Sequence, residues 1–252
     1  MDFLRDPIWQ FVGVLIAVIL AVAPLAYRFV RRRLVKKSVS VKSQFPKILV
    51  IHSRPDYLYK ALGKDPKNVQ KVKNPTAIRE HKPEVITDIE PDSSIIQHVF
   101  DETGKRMVFK ALSNSTKSDL AMALRSEWDI VHFDCVVGPN GQLFLDDGDI
   151  SPQSLQELLS DKKVKLLVLM DCDSLRVVSS ATSAGVKALI AVTGSLPVLA
   201  AEKFCFGLYK SIAAEKSLMD SFADGKALAS IELGNSWESS LFVLDGDSSL
   251  KF

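Results

Sequence analysis

Cysteine is scarce in this chain: Cys135, Cys172 and Cys205 are the only three among 252 residues. Three cannot all pair with one another, and none stands in a Cys-x-x-Cys motif. Reduced thiols in a cytosolic compartment are therefore expected, and a zinc site is not. Histidine is almost as rare, and His52, His81 and His98 lack the spacing that brings two imidazoles onto one metal. The sequence calls for no metal and no cofactor. Glycines never gather into a phosphate-binding loop: Gly194-Ser-Leu-Pro197 follows an apolar run but lacks the further glycines and the lysine. Internal repeats and low-complexity segments are missing too. So is a strong charge of either sign. The formal net charge is +2, but residues 1–46 hold eight Lys/Arg and two Asp/Glu, which leaves 24 basic and 28 acidic residues, a net of −4, in the remainder. A domain of that balance has no bulk attraction for nucleic acid.

One long apolar stretch is present. Residues 8–27 are 20 residues without a formal charge, close to the roughly 20 a helix needs to cross a bilayer. Trp9 and Tyr27 stand at its two ends, where amphipathic rings favour the interface, and Pro24 falls late enough to leave a span intact. Arg28, Arg31, Arg32, Arg33, Lys36 and Lys37 follow, whereas the leading residues carry only Arg5 against Asp2 and Asp6. The positive side belongs in the cytoplasm, which puts the N-terminus outside and the domain inside. A cleaved signal peptide competes through the box Ala21-Val-Ala23. It is opposed by the basic cluster, which follows the apolar stretch instead of leading it, and by Pro24 directly after the cut. The expected organisation is a transmembrane anchor over residues 1–37, a polar linker over 38–46 and one domain over 47–252. The lone helix has no strong Gly-x-x-x-Gly pattern, only Gly13 and Ala17, so a role in clustering the anchor is weakly supported.

The domain alternates short apolar runs with helical patterns. Lys47-Ile-Leu-Val-Ile-His-Ser53 is a buried first strand stopped by Arg54-Pro55. Residues 56–104 are broken by Pro66, Pro75, Pro83 and Pro91, although 93–102 has helical spacing through Ile95, Ile96, Val99 and Phe100. A second strand is expected at Arg106-Met-Val-Phe-Lys-Ala-Leu112. Ser115 or Thr116 then caps a helix to Ser126 with Leu120, Met122, Ala123 and Leu124 inward. Asp129-Ile-Val-His-Phe-Asp-Cys135 is a third strand, Gly138-Pro-Asn-Gly141 a turn, and residues 142–146 a short strand. Ser151-Pro152 opens a helix to Ser160. Lys165-Leu-Leu-Val-Leu-Met-Asp-Cys172 is a central strand, and a Ser-rich helical stretch after it ends at Gly185. Further come a strand at Ala188-Leu-Ile-Ala-Val-Thr-Gly194, helices over 195–214 and 216–233, and a last strand at Ser240-Leu-Phe-Val-Leu-Asp245. This alternation predicts an α/β three-layer sandwich with a mostly parallel sheet, preceded by the transmembrane helix. In such sheets chemistry gathers at the carboxyl edge, and the strand that ends at Cys172 is where it is expected.

Five phrases carry a family resemblance in the right order: Asp129-Ile-Val-His-Phe-Asp134, Leu143-Phe-Leu-Asp-Asp-Gly148, Leu166-Leu-Val-Leu-Met-Asp-Cys-Asp-Ser174, Ala184-Gly-Val-Lys-Ala-Leu-Ile190 and Ala200-Ala-Glu-Lys-Phe-Cys-Phe-Gly-Leu-Tyr209. Together they resemble CHAT domains, caspase-like members of the cysteine peptidase clan that includes caspases, metacaspases and separase. The resemblance covers roughly residues 47–234. It implies a Cys/His dyad, with Cys172 as nucleophile and Ser174 as the serine that commonly follows. The family's His-Phe-x-Gly-His-Gly reads here His132-Phe-Asp-Cys-Val-Val137, so the dyad histidine falls on Val136 and its glycine on Val137. A free thiol near pKa ~8.5 is only a few per cent ionised at neutral pH, and a dyad histidine both ionises it and protonates the leaving amine. Val136 can do neither, and Asp171 and Asp173 beside the thiol would push its pKa further up.

The resemblance thus implies a caspase-like scaffold with a disabled dyad, a pseudopeptidase acting as a binding or scaffold module in prokaryotic defence or cell-death signalling. The alternative is an active cysteine endopeptidase cutting after basic residues, with Cys172 as nucleophile and a non-standard base. His132 is a candidate for that base, although a packed strand histidine is the plainer reading. Cys135 and Cys172, at neighbouring strand ends, could form a redox pair or half a metal site, against the plainer reading of core thiols. Asp134, Asp146, Asp171 and Asp173 could bind a basic segment, since acids near the dyad select a basic residue in related peptidases; with Asp147 and Asp149, they could equally be strand-end acids solvating loops. The expected partners are therefore the bilayer, through residues 8–27, and a protein or peptide, with a homodimer through an edge strand open to the fold. Cys205, between Phe204 and Phe206, reads as packing.

Overall fold

The computed structural model describes residues 45–53, 92–171, 174–194, 196–233 and 241–252. The expected transmembrane helix, most of the linker, the proline-broken stretch up to residue 91, and Cys172 with Asp173 lie outside them. Among the described residues no helix is long and apolar enough to cross a membrane.

A continuous apolar run must be covered on both faces, and the one inside β1 (Lys47–Ser53) is. Its residues Ile48, Leu49, Val50 and Ile51 have no exposed surface. Around it lies a six-stranded sheet in the order β2-β1-β3-β6-β7-β8. The added strands are β2 (Val108–Ser113), β3 (Ile130–Cys135), β6 (Leu166–Leu169), β7 (Ala188–Val192) and β8 (Phe242–Gly246). All neighbours run parallel except β8, which is antiparallel to β7. The chain goes from β1 outward to β2 and then back past β1 to β3, so the strand order reverses between β1 and β3.

Side-chain alternation sorts the strand residues into two cores. Ile48, Val50, Ile130, Val168 and Ile190 face one layer. That layer is built from α1 (Asp92–Thr103), α5 (Val198–Ala213) and α6 (Leu218–Leu233). Leu49, Ile51, Val131, Phe133 and Leu167 face the other. It is formed by α2 (Lys117–Ala123), α3 (Pro152–Leu159) and α4 (Val178–Ser183), the last entered through the 3-10 turn Ser174–Val177. The expected mostly parallel, three-layer α/β sandwich is what the chain forms.

The helix starts follow the sequence signals. Thr116 and Asp119 close a capping box on α2, and Ser151 with Pro152 opens α3. The helix expected from residue 195 starts at Val198 with Pro197 as its N-cap. At the packing of α5 on α6 the backbones nearly touch. A Cβ on Gly207 would lie 2.9 Å from the Gly225 Cα, so neither glycine can gain a side chain without moving a helix.

Three further expectations need correction. Met122 points outward, 53% exposed, because two turns of helix bury only the stripe of Leu120, Ala123 and Leu124. The strand expected over residues 165–172 pairs only from Leu166 to Leu169, since the chain leaves the sheet at Met170. The short strand β4 (Leu143–Leu145) is not alone but forms an antiparallel hairpin with β5 (Gly148–Ile150). Gly148-Asp-Ile150 has too few residues to show a period of two.

The amino edge of the sheet is fixed by one residue. Asp129 accepts the Lys47 N–H at 3.0 Å, pairs with Lys165 Nζ at 2.7 Å, and its carbonyl accepts the N–H groups of Lys165 and Leu166. Three strand starts are thereby tied together at that edge.

Candidate active site at the carboxyl edge

The register sets His52 of β1 opposite Asp134 of β3, and Ser53 opposite Cys135. His52 Nδ1 lies 2.7 Å from Asp134 Oδ2, with the His52 side chain 23% exposed and Asp134 almost buried at 6%. An ionised carboxylate only accepts, so Nδ1 carries the proton and the Nε2 of a neutral ring keeps its lone pair. Among the described residues Nε2 has no hydrogen-bond partner. On the opposite face of the same strand ends, Ser53 Oγ donates to Asp146 Oδ1 at 3.1 Å and Cys135 Sγ donates to the Ile51 carbonyl at 3.4 Å.

The loop after β3 is held down. The Val136 carbonyl accepts the Phe144 N–H at 3.0 Å, Val137 bridges to Leu143, and the Gly138 N–H bonds the Gln142 carbonyl at 2.8 Å. The Val137 N–H donates to Asp171 Oδ2 at 2.6 Å. Beyond β6, Ser174 is fully buried; its hydroxyl donates to the Leu169 carbonyl at 2.9 Å and accepts the Val192 N–H at 2.8 Å. The residues on either side of Cys172 and Asp173 are thus anchored to β6, β7 and the loop after β3.

Deeper under the same face as His52 lies a second polar group. His132 is fully buried; its Nε2 is 2.8 Å from Asp92 Oδ2 and its Nδ1 2.9 Å from the Tyr209 hydroxyl. Cys205, one turn before Tyr209 on α5, completes the cluster. Burial drives its thiol well above the usual range, and the charges of Asp92 and Asp134 add to that. Burial likewise raises the Tyr209 phenol. The ligand atoms of Asp92, His132 and Cys205 lie within 4.8 Å of one another, the one set among the described residues that a metal ion would suit. Both nitrogens of His132 and the facing oxygen of Asp92 already have protein partners, however, and the group is complete as a hydrogen-bond network.

The candidate residues therefore separate. His132 is sealed in the core with both ring nitrogens engaged. Asp134 faces the α1 and α5 side, Asp146 approaches from the α2 and α3 side, and Asp171 is bound to the loop after β3, so these acids do not share one pocket wall. Asp147 accepts the Lys117 N–H at 2.9 Å and serves the start of α2. Cys172 and Asp173 lie outside the described residues. Sequence reasoning missed His52 as a partner of Asp134, because 82 residues separate them. It also missed Asp92 and Tyr209; no local pattern marks either.

A crystal structure of the Arg-specific cysteine proteinase gingipain R (RGPB) matches with a TM-score of 0.52 at 12% identity, over 81% of this chain and 47% of the gingipain chain. The match thus spans about half of that protein's length. Two structures of pyridoxal kinase from Staphylococcus aureus, one with ADP and one with AMP-PCP and pyridoxal, match at 12% and 11% identity over 82% of this chain and 94% of theirs. Their TM-score of 0.34 carries no argument. No family model matches the chain, and no curated protein does. Strand order, the antiparallel last strand and the likeness to gingipain agree on one class of architecture: the chain has a caspase-like α/β fold.

Proposed function

We propose that the chain is a membrane-anchored, cytosol-facing caspase-like module of the CHAT type, a pseudopeptidase by that family's own dyad, which works by binding a protein or peptide partner with a basic segment. The role that the resemblance adds is prokaryotic defence or cell-death signalling. The observation that carries this reading is the loop after β3. The residue in the dyad-histidine position is Val136, and Val136 and Val137 are stitched to β4 and Asp171 instead of presenting an imidazole. The test is an assay of the full chain on peptides containing Arg and Lys. Binding without cleavage supports the reading; cleavage that disappears in Cys172→Ala overturns it.

A second reading is favoured by a separate observation. A cysteine endopeptidase cutting after basic residues through Cys172 needs a base other than residue 136, and among the described residues the carboxyl edge holds a histidine on a carboxylate, His52 on Asp134. The gingipain likeness agrees with this reading in fold, and that protein's Arg specificity suggests the side chain to try first. Loss of cleavage in both Cys172→Ala and a His52 variant supports it.

A further inference from the structure

Three elements deliver one donor each to a single buried point. Asp92 opens α1, His132 lies in the middle of β3 and Cys205 in the middle of α5, and their ligand atoms all lie within 4.8 Å of one another. We propose that Asp92, His132 and Cys205 bind a zinc-type divalent cation that fastens α1 and α5 to β3. The inference is independent of both readings above, since it needs neither peptide binding nor cleavage.

Three observations carry it. The first is the donor set. A carboxylate, an imidazole and a thiolate together suit a borderline ion such as Zn2+, whereas Ca2+ and Mg2+ take oxygen ligands and soft thiolate sets select Cu(I) or iron–sulfur clusters. The second is charge. Asp92 is 5% exposed, His132 and Cys205 have no exposed surface, and among the described residues no lysine or arginine pairs with Asp92. A buried charge has to be compensated where it stands. A divalent ion with one carboxylate, one thiolate and a neutral imidazole forms a group of no net charge. The third is the tautomer. The Tyr209 hydroxyl stands 2.9 Å from His132 Nδ1. With the phenol oxygen accepting Nδ1–H, the Nε2 lone pair is directed at Asp92, and a metal-bound imidazole ordinarily has such an outer hydrogen bond on its second nitrogen.

The hydrogen bond between Asp92 and His132 and the ion use the same atoms. That bond holds a proton between Nε2 and Oδ2; the ion takes its place, and the thiol proton departs to solvent. Two ligands at ~2.1 Å on a tetrahedral centre are about 3.4 Å apart, so the pair opens from its 2.8 Å by a small swing of the Asp92 carboxylate. A fourth position falls to water or to the second Asp92 oxygen. Because the group is sealed, the ion enters while the chain folds, and its binding free energy adds to that of folding.

The experiment expresses the full chain in medium supplemented with Zn2+ or with Co2+, purifies it in detergent, strips loosely held ions, and reads metal content and the absorption spectrum. The expected result is stoichiometric zinc and, in the cobalt form, a thiolate-to-cobalt charge-transfer band in the near ultraviolet. The band should be kept when Cys135→Ser and Cys172→Ser are combined and lost in Cys205→Ser. A folded wild type that carries no stoichiometric metal from either medium overturns the proposal. So does a cobalt form that lacks the band, or one that keeps it in Cys205→Ser. Should Cys205→Ser fail to fold, the double variant decides the same question, because Cys205 is then the only thiol left in the chain: its band supports the site, and loss of the band overturns it.

Discussion

His132–Asp92 and His52–Asp134 are chemically the same pair, an imidazole held on a carboxylate at 2.8 and 2.7 Å on one face of one sheet. They differ in depth. His132 sits three residues before the end of β3, has no exposed surface and uses its second nitrogen on Tyr209. His52 sits at the end of β1, is partly exposed, and its second nitrogen has no partner among the described residues. Depth decides the work each can do. A sealed pair cannot exchange protons with a ligand, and it ties the start of α1 and the middle of α5 to β3. A pair at the edge contributes less to the fold and can handle a proton.

The largest effect should come from breaking the sealed pair. His132→Ala removes one partner of a buried charge-assisted pair, and a loss of about 3–5 kcal/mol is expected in urea unfolding. His52→Gln keeps a donor for Asp134, and its cost should stay within about 1 kcal/mol. Equal losses in the two would erase the contrast. Tyr209→Phe deletes only the hydroxyl and leaves His132 Nδ1 unsatisfied in the core, which should cost about 1–3 kcal/mol. A cost near zero would mean that water reaches the ring.

The thiols sharpen the contrast kinetically. With burial raising its pKa, Cys205 should resist alkylation in the native state at neutral pH and react only at the rate of unfolding, as pulsed labelling in increasing urea would show. Rapid native labelling would open the sealed side.

The smallest effect belongs to a half-exposed ion pair. Lys216 Nζ, and beyond it the Ser211 hydroxyl, bond Asp224, lowering its pKa. A group whose pKa is depressed on folding adds stability above its unfolded pKa and loses it as the pH falls through the folded value. Asp224→Asn should therefore lower the melting temperature slightly at neutral pH, with the difference from wild type vanishing in acid. A deficit that persists in acid would assign the effect to packing. Solvent screening keeps this contribution small.

The strands that build the core were legible because continuous runs such as Ile48-Leu-Val-Ile51 and Leu166-Leu-Val-Leu169 can only be buried on both faces. The caps at Thr116 and Ser151 were legible because their chemistry lies within four residues. Less could be read at the site. The position of Val136 in the dyad motif is plain in the chain, but the stitching of that loop by Asp171 is not, since the two are joined only when β3 and β6 pair. The hairpin of β4 and β5 escaped because Gly148-Asp-Ile150 is too short for a periodic signal.

Hydrophobic pattern and local caps act between near neighbours, and so the sequence by itself determined the alternation of elements, the two-sided core and the fold class. Pairing of polar side chains acts across strands, between residues 82 apart for His52 and Asp134 and 40 apart for Asp92 and His132. Only the tertiary structure decided which histidine is sealed and which faces solvent, because burial belongs to the packed layers and not to any one stretch of chain.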